Sequence, residues 1–260
     1  MSTPQRRRKL TPAYRLAAGI LRPPLMAMTR REWSGVENLP TDSGYVVCPN
    51  HISHVDPLAF AHFLFDNGHV PLFLAKVEIF GVPVVGSILR GAEQIPVYRE
   101  TGQAAGAYRA AVAAVEAGRC VAVYPEGTLT RDPELWPMRG KTGAARIALQ
   151  TRCPVVPVAQ WGPQDLLAPY AKVPDVLPRK TMQVRAGAPV ALDDLYDEHL
   201  TRDVLEEATD RIMRAITAEL QVLRGGSPPP QLWDPRHHGQ TTTGRIRQVG
   251  EGARRDEEKA

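Results

Sequence analysis

From residue 33 onward the chain alternates short apolar runs with longer amphipathic ones. Residues 44–48 (GYVVC) read as a short buried strand, and residues 58–65 as a helix. Residues 71–75 (PLFLA) are strand-like, and residues 76–90 are helical pieces punctuated by Gly81, Pro83 and Gly86. Residues 94–97 form a short strand, and residues 102–118 an Ala-rich helix closed by Gly118. Residues 119–124 (RCVAVY) are a buried strand, 141–151 a helix and 154–160 (PVVPVAQ) another apolar strand. Residues 182–186 and 188–191 are weaker strands. Residues 201–224 form a long helix with Val204, Leu205, Ala208, Ile212, Ile216 and Leu220 along one side, stopped by Gly225-Gly226. This alternation predicts an α/β domain over residues 32–224, with a central, largely parallel sheet flanked by helices. Such sheets place ligands at the carboxyl ends of their strands.

Two terminal segments break the pattern. Residues 1–10 read as a basic arm. Residues 11–31 read as two short helices broken at Pro23-Pro24, with Tyr14, Leu16, Ile20, Leu21, Leu25, Met26 and Met28 interleaved with arginine. This amphipathic helical segment fits a helix lying in a membrane interface, and equally a helix docked on the domain. Residues 225–260, rich in Pro, Gly, Thr and charge, read as a disordered tail. No run reaches ~18 uninterrupted apolar residues, so no transmembrane helix is expected, and no signal-peptide core follows the basic start.

Charge sharpens the picture at the N-terminus. The net charge is +4, but residues 1–31 carry eight bases and no acid. That segment is +8, so the other residues, with 24 bases against 28 acids, are −4. A local cationic block calls for a local anionic partner, a bilayer or a nucleic acid. No interleaved aromatics support base stacking, which excludes nucleic acid. Six Lys stand against 26 Arg, the bias of a GC-rich, bacterial genome. The three cysteines, Cys48, Cys120 and Cys153, lie in or beside apolar runs, at spacings that fit neither zinc nor a disulfide framework. They read as buried small hydrophobes in a reducing compartment.

Chemistry-bearing residues cluster after the strands. The first strand is followed by Pro49-Asn50-His51-Ile52-Ser53-His54-Val55-Asp56-Pro57. On an ideal helix, a five-residue separation puts His51 and Asp56 about 140° apart. They meet only if the loop bends before a helix that starts at Asp56-Pro57, with Asp56 as N-cap. If they meet, the carboxylate fixes the imidazole tautomer and leaves the other nitrogen free to take a proton. Alone, the segment favours the plainer reading of a capped helix behind a loop histidine. The 94–97 strand is followed by Tyr98-Arg99-Glu100. The 119–124 strand is followed by Pro125-Glu126-Gly127-Thr128-Leu129-Thr130-Arg131, where glycine permits close backbone approach and Thr128, Thr130 and Arg131 suit phosphate oxygens. Arg139-Gly140-Lys141-Thr142-Gly143 hints at a nucleotide phosphate loop, but that motif needs glycine at position 135, which is Leu. It remains a basic helix start, an anion site or a capped helix.

Taken together, these segments resemble the glycerolipid acyltransferases, specifically the 1-acyl-sn-glycerol-3-phosphate acyltransferases. Asn50-His51 through Asp56 is similar to the family's NHxxxxD block. Residues 91–99 (GAEQIPVYR) resemble the second block, Pro125-Glu126-Gly127-Thr128 the EGTR block, and Val155-Val156-Pro157-Val158 the fourth. The blocks occur in order within residues 33–215. Leu129 stands where the family usually has Arg, and Arg131 is the nearest substitute.

The resemblance implies that His51 is the general base on the acceptor hydroxyl and that Asp56 orients and charges it. It implies that Arg99, Glu126, Gly127 and Thr128, with Arg131 and Lys76, bind the acceptor's glycerol-phosphate head. Asn50 and Ser53 are supporting residues. It implies acyl-CoA or acyl-carrier protein as donor substrate, and no cofactor or metal. The acceptor is a lysophospholipid, with 1-acylglycerol 3-phosphate converted to phosphatidic acid at its sn-2 hydroxyl. The location is peripheral, on the cytoplasmic face of an anionic cell membrane.

Three rivals remain from the residues. One is the same chemistry on glycerol 3-phosphate or another lysolipid. A second is a hydrolase using Ser53, for which a serine two residues from its base is poorly placed and no GxSxG elbow exists. A third is a non-enzymatic adaptor built on the basic arm.

Overall fold

The computed structural model describes residues 10–98 and 104–241. The order of elements is α1 (Pro12–Met28), β1 (Thr29–Ser34), β2 (Tyr45–Pro49), α2 (Asp56–Asp66), β3 (Pro71–Lys76), α3 (Val77–Phe80), α4 (Val85–Gly91), β4 (Ile95–Val97), α5 (Ala104–Glu116), β5 (Cys120–Ala122), α6 (Gly143–Thr151), β6 (Val155–Trp161), α7 (Pro163–Leu166), β7 (Lys180–Ala186) and α8 (Arg202–Arg224). The strands form one seven-stranded sheet in the order β1-β7-β6-β2-β5-β3-β4. Every pairing is parallel except β6 with β7.

The central strands read as unbroken apolar runs because both their faces are covered. Val46, Val121 and Val155 face α5, α6 and α8, packing with Ala111, Ala145, Ile212 and Ile216. Val47, Val156, Val158 and Val184 face the other way, onto Phe60, Phe63 and Leu64 of α2. Cys48, Cys120 and Cys153 are free and buried in these layers. Because β2, β3, β4, β5 and β6 run parallel, their carboxyl ends share one edge of the sheet. His51 follows β2, Lys76 ends β3, Glu126 follows β5 and Gln160 lies near the end of β6.

Four expectations are revised. The N-terminal segment is one helix, not two, and it runs through Pro23 and Pro24. Both prolines are exposed, and the helix is held by packing that overrides the backbone bonds they remove. Tyr14 stacks on Phe65 at 5.9 Å, and Arg22 makes a two-toothed ion pair with Asp66 at 2.8 and 3.2 Å. Gly91 of α4 lies so close to α1 that an added Cβ would stand 2.5 Å from that of Ala13. Second, residues 29–31 are not helical. They open β1, whose backbone pairs with β7 from Thr29↔Lys180 to Ser34↔Arg185.

Third, residues 188–191 form no strand, although Val190 still donates to the carbonyl of Val155 at 2.9 Å. The strand before them instead starts earlier, at Lys180. Fourth, the expected tail is not loose over its first part. Arg139 donates to the carbonyl of Trp233 at 2.9 Å, Asp234 is buried, and Asp234 with Arg236 closes a short 3-10 turn. The tail's apolar Trp233 and buried acid have partners on the domain that composition does not reveal. Residues 242–260, and the basic arm at 1–9, lie outside the described residues.

Candidate active site

The loop between β2 and α2 wraps around a single carboxylate oxygen. Asp56 Oδ2 accepts from the backbone N–H of Ile52 at 2.5 Å and of Ser53 at 2.8 Å, and lies 2.9 Å from His51 Nδ1. The helical phase problem vanishes because residues 51–53 are not helical: they double back over the first residue of α2. Asp56 is that first residue rather than the N-cap, which is Val55, and Pro57 follows it. Asp56 is fully buried. Burial pushes its carboxyl upward, while the imidazole and the two amides pull it back. The contact fixes the proton of the neutral ring on Nδ1 and leaves Nε2 as the acceptor. The His51 side chain keeps 16% of its surface, so this buried pair opens to solvent on one side.

The rest of the site clamps His51 by its backbone. Its N–H donates to Glu126 Oε1 at 2.8 Å, and its carbonyl accepts from Thr130 N–H at 2.7 Å. Glu126 Oε2 accepts from Met138 N–H at 3.0 Å. Burial pushes the Glu126 carboxyl up to about 8, against the downward pull of the Met138 and His51 amides. Its turn is sequence-encoded: Gly127 N–H reaches the Tyr124 carbonyl at 3.0 Å across Pro125 and Glu126. Gly127 has φ +70°, and a Cβ there would meet Lys141 Nζ at 3.1 Å. Asn50 completes the frame. Its side chain donates to the Gln160 carbonyl at 3.1 Å and accepts from Gln160 N–H at 2.7 Å, extending the β2–β6 ladder by one rung.

Ser53 is buried and spends its hydroxyl on the Leu167 carbonyl at 2.6 Å, as a brace rather than a nucleophile. Thr128 is buried in the same turn as Glu126. Arg131 is buried, reaches Thr241 Oγ1 at 3.2 Å and lies against Tyr170. Lys76 sits at the end of β3. Its charge, after burial and the charge of His51, disfavours the protonated form of His54. The loop after β2 thus gathers Asn50, His51, Ser53, Asp56, Glu126 and, within electrostatic reach, Lys76. Arg99 lies outside the described residues.

Sequence reasoning missed Tyr124 and Gln160, and read Thr130 as a phosphate ligand rather than as a backbone donor to His51. Tyr124 packs its ring 4.4 Å from that of His51, walling one side of the imidazole. Thr130 and Gln160 act through backbone groups, which no side-chain motif can announce. Tyr124 had a signal, as the last residue of an apolar run before Pro125. Arg139 and Lys141, singled out as a basic helix start, line a cavity of about 380 Å³ that Glu126 and Met138 also border. Glu206 and Asp234 share that lining and lie 3.5 and 3.6 Å from the Arg139 guanidinium, so its charge is mixed.

An imidazole–carboxylate pair opening at the strand ends of an α/β sheet can take a proton from a bound hydroxyl. The acyltransferase family model matches residues 30–161, just over half of the chain, and the chain belongs to that family. It is 32% identical over 132 residues to the 1-acyl-sn-glycerol-3-phosphate acyltransferase of Bacillus subtilis, covering 50% of this chain and 61% of that protein. It is 30% identical over 189 residues to the human 1-acyl-sn-glycerol-3-phosphate acyltransferase alpha, covering 72% of this chain and 62% of the relative. The chain therefore spans about three fifths of the length of these relatives. Its fold matches the crystal structure of the 1-acyl-sn-glycerophosphate acyltransferase from Thermotoga maritima with a TM-score of 0.63. That match has 21% identity and covers 83% of this chain and 81% of that one.

Proposed function

We propose that this protein transfers a fatty acyl group from an acyl thioester, acyl-CoA or acyl-carrier protein, to the sn-2 hydroxyl of 1-acylglycerol 3-phosphate, giving phosphatidic acid. The observation that carries the reading is the 2.9 Å contact between His51 Nδ1 and Asp56 Oδ2, with the ring open at the sheet edge. His51 Nε2 takes the proton from the acceptor hydroxyl as the oxygen attacks the thioester carbonyl. The tetrahedral intermediate then expels the thiolate, which recovers the proton from the imidazolium. Asp56 stabilises that imidazolium between the two steps. General base catalysis contributes about 10²–10⁴-fold, and the remainder comes from holding donor and acceptor in register.

Glu126 works one step back. Both of its oxygens are taken by amides, so it holds the His51 loop rather than the acceptor. Thr128, Arg131 and Lys76, with Arg99 by family resemblance, are assigned to the acceptor's phosphate head. The acceptor lives in a bilayer, and the Arg-rich N-terminal segment, with Leu16, Ile20 and Leu21 exposed on α1, fits a peripheral seat on an anionic membrane. Among the described residues, no helix is long and apolar enough to cross a membrane. The deciding experiment is an acyl-transfer assay on 1-acylglycerol 3-phosphate, run beside a panel of other lysolipids and glycerol 3-phosphate. Activity on 1-acylglycerol 3-phosphate that survives in His51→Ala would sink the mechanism. A preference for another acceptor would move the substrate but keep the chemistry.

A further inference from the structure

Among the described residues, the two most exposed large apolar side chains are Val173 at 80% and Leu177 at 76%. Both belong to the connection between α7 and β7, in the stretch AKVPDVLPRK at 171–180, where Pro174 and Pro178 are exposed as well. Single exposed apolar residues are ordinary, but four in one short excursion are not. The excursion is held at its roots. Asp175 N–H donates to the Leu166 carbonyl at 2.8 Å, and Val176 packs on Ala59, Leu166 and Met182. Arg179 donates to the carbonyls of Met26 and Thr29 at 2.7 and 2.6 Å, fastening the loop to the end of α1. The apolar tip is therefore presented outward from a braced base.

Its place in the fold gives it a direction. β7 runs antiparallel to β6, so the connection before β7 lies at the same sheet edge as the carboxyl ends of the parallel strands. Two contacts tie it to the catalytic loop: Ser53 Oγ donates to the Leu167 carbonyl at 2.6 Å, and the rings of His54 and Tyr170 meet edge-on at 6.3 Å. Its net charge is basic: within residues 171–180, Lys180 is paired with Asp175 at 2.9 Å, which leaves Lys172 and Arg179. Arg30, exposed on the adjoining β1, adds to it.

We propose that residues 172–178 are a membrane-inserting tip. Val173 and Leu177 enter the acyl region of an anionic bilayer, the flanking cations meet its headgroups, and the open side of His51 is seated against the lipid surface. The proposal rests on the reading of the acceptor as a bilayer lysophospholipid and adds to it the element that docks the site. Apolar insertion next to basic residues is the usual chemistry of interfacial binding.

The test uses the full chain, with Val173→Asp/Leu177→Asp and the milder Val173→Ser/Leu177→Ser. Val222→Asp is the control, at a position 64% exposed on α8. Binding is read by co-sedimentation with phosphatidylglycerol–phosphatidylcholine vesicles. Transfer is read on 1-acylglycerol 3-phosphate carried in those vesicles, and on a short-chain acceptor dissolved as monomer. The aspartate pair is expected to lower vesicle binding on the order of tenfold or more, with the serine pair following in the same direction. The vesicle rate should fall in step, the monomer rate should stay unchanged, and Val222→Asp should alter none of the three. Wild-type vesicle binding by both double variants overturns the proposal. So does an equal loss in Val222→Asp, or a change in self-association with vesicle binding intact. If wild type transfers acyl groups in neither format, the acceptor reading fails, while the vesicle-binding comparison still decides the role of the tip.

Discussion

Two loops at the same edge of the sheet are built on opposite rules. The loop from Asn50 to Asp56 spends nearly every polar group internally: three donors converge on one oxygen of Asp56, and Glu126 and Thr130 grip the backbone of His51 from both sides. The connection before β7 anchors its base and leaves Val173 and Leu177 in water. A general base, the role proposed for His51, must stay within a fraction of an ångström of its working position, and an over-determined loop suits that role. A surface that meets a fluid, variable lipid gains nothing from such rigidity. On the proposed function, the contrast separates the part of the molecule assigned to chemistry from the part assigned to the lipid surface.

The sharpest break of this contrast is His51→Ala. It is expected to lower kcat by about 10³–10⁴-fold with the circular dichroism spectrum unchanged, because it removes the base and leaves the clamp. Asp56→Asn comes next, at roughly 10²-fold or more in kcat with KM nearly constant. The loop amides can still bond the amide oxygen, but the imidazolium loses its counter-charge. A variant with unaltered kcat would mean that Asp56 serves only the loop.

Glu126→Gln tests the clamp by pH. A carboxyl raised from 4.5 to about 8 is protonated in the folded state where the unfolded chain is ionised. Its contribution to stability is therefore present at low pH and lost as pH rises from about 4.5 through 8. The midpoint of thermal unfolding should fall more steeply across that window in the wild type than in Glu126→Gln, where the raised Asp56 carboxyl still contributes, and an identical slope in both would remove this account. The smallest effect is expected at the periphery. Asp66 gathers Arg22 and Arg31 at 2.8 and 3.1 Å, and Asp66→Ala should cost about 1 kcal/mol by urea unfolding, as partly exposed pairs do, with kcat unaltered.

Much of the frame was legible in the residues because its signals are local. Apolar runs such as GYVVC and PVVPVAQ are doubly covered strands, and Thr201, whose hydroxyl accepts from Val204 N–H, starts the long final helix as its pattern predicts. The prolines of α1 misled for the same reason. Locally they break a helix, and only docking on α2 and α4 holds it through. The packing of Trp233 and Asp234 was equally hidden, since composition registers polarity but not a waiting partner.

By itself, then, the chain determined which residue types follow each strand: a histidine and an aspartate five apart, then a glutamate on a Pro-Gly turn. Spacing and turn chemistry are short-range properties, and they survive without a partner. Only the tertiary structure decided that His51 and Asp56 touch, that Glu126 serves the backbone of His51, that Tyr124 walls the imidazole, and that Val173 and Leu177 are exposed at the same edge of the sheet. Each of these needs two segments distant in sequence, or a loop folded back on itself, and such a meeting is settled by sheet order and burial rather than by the identity of either residue.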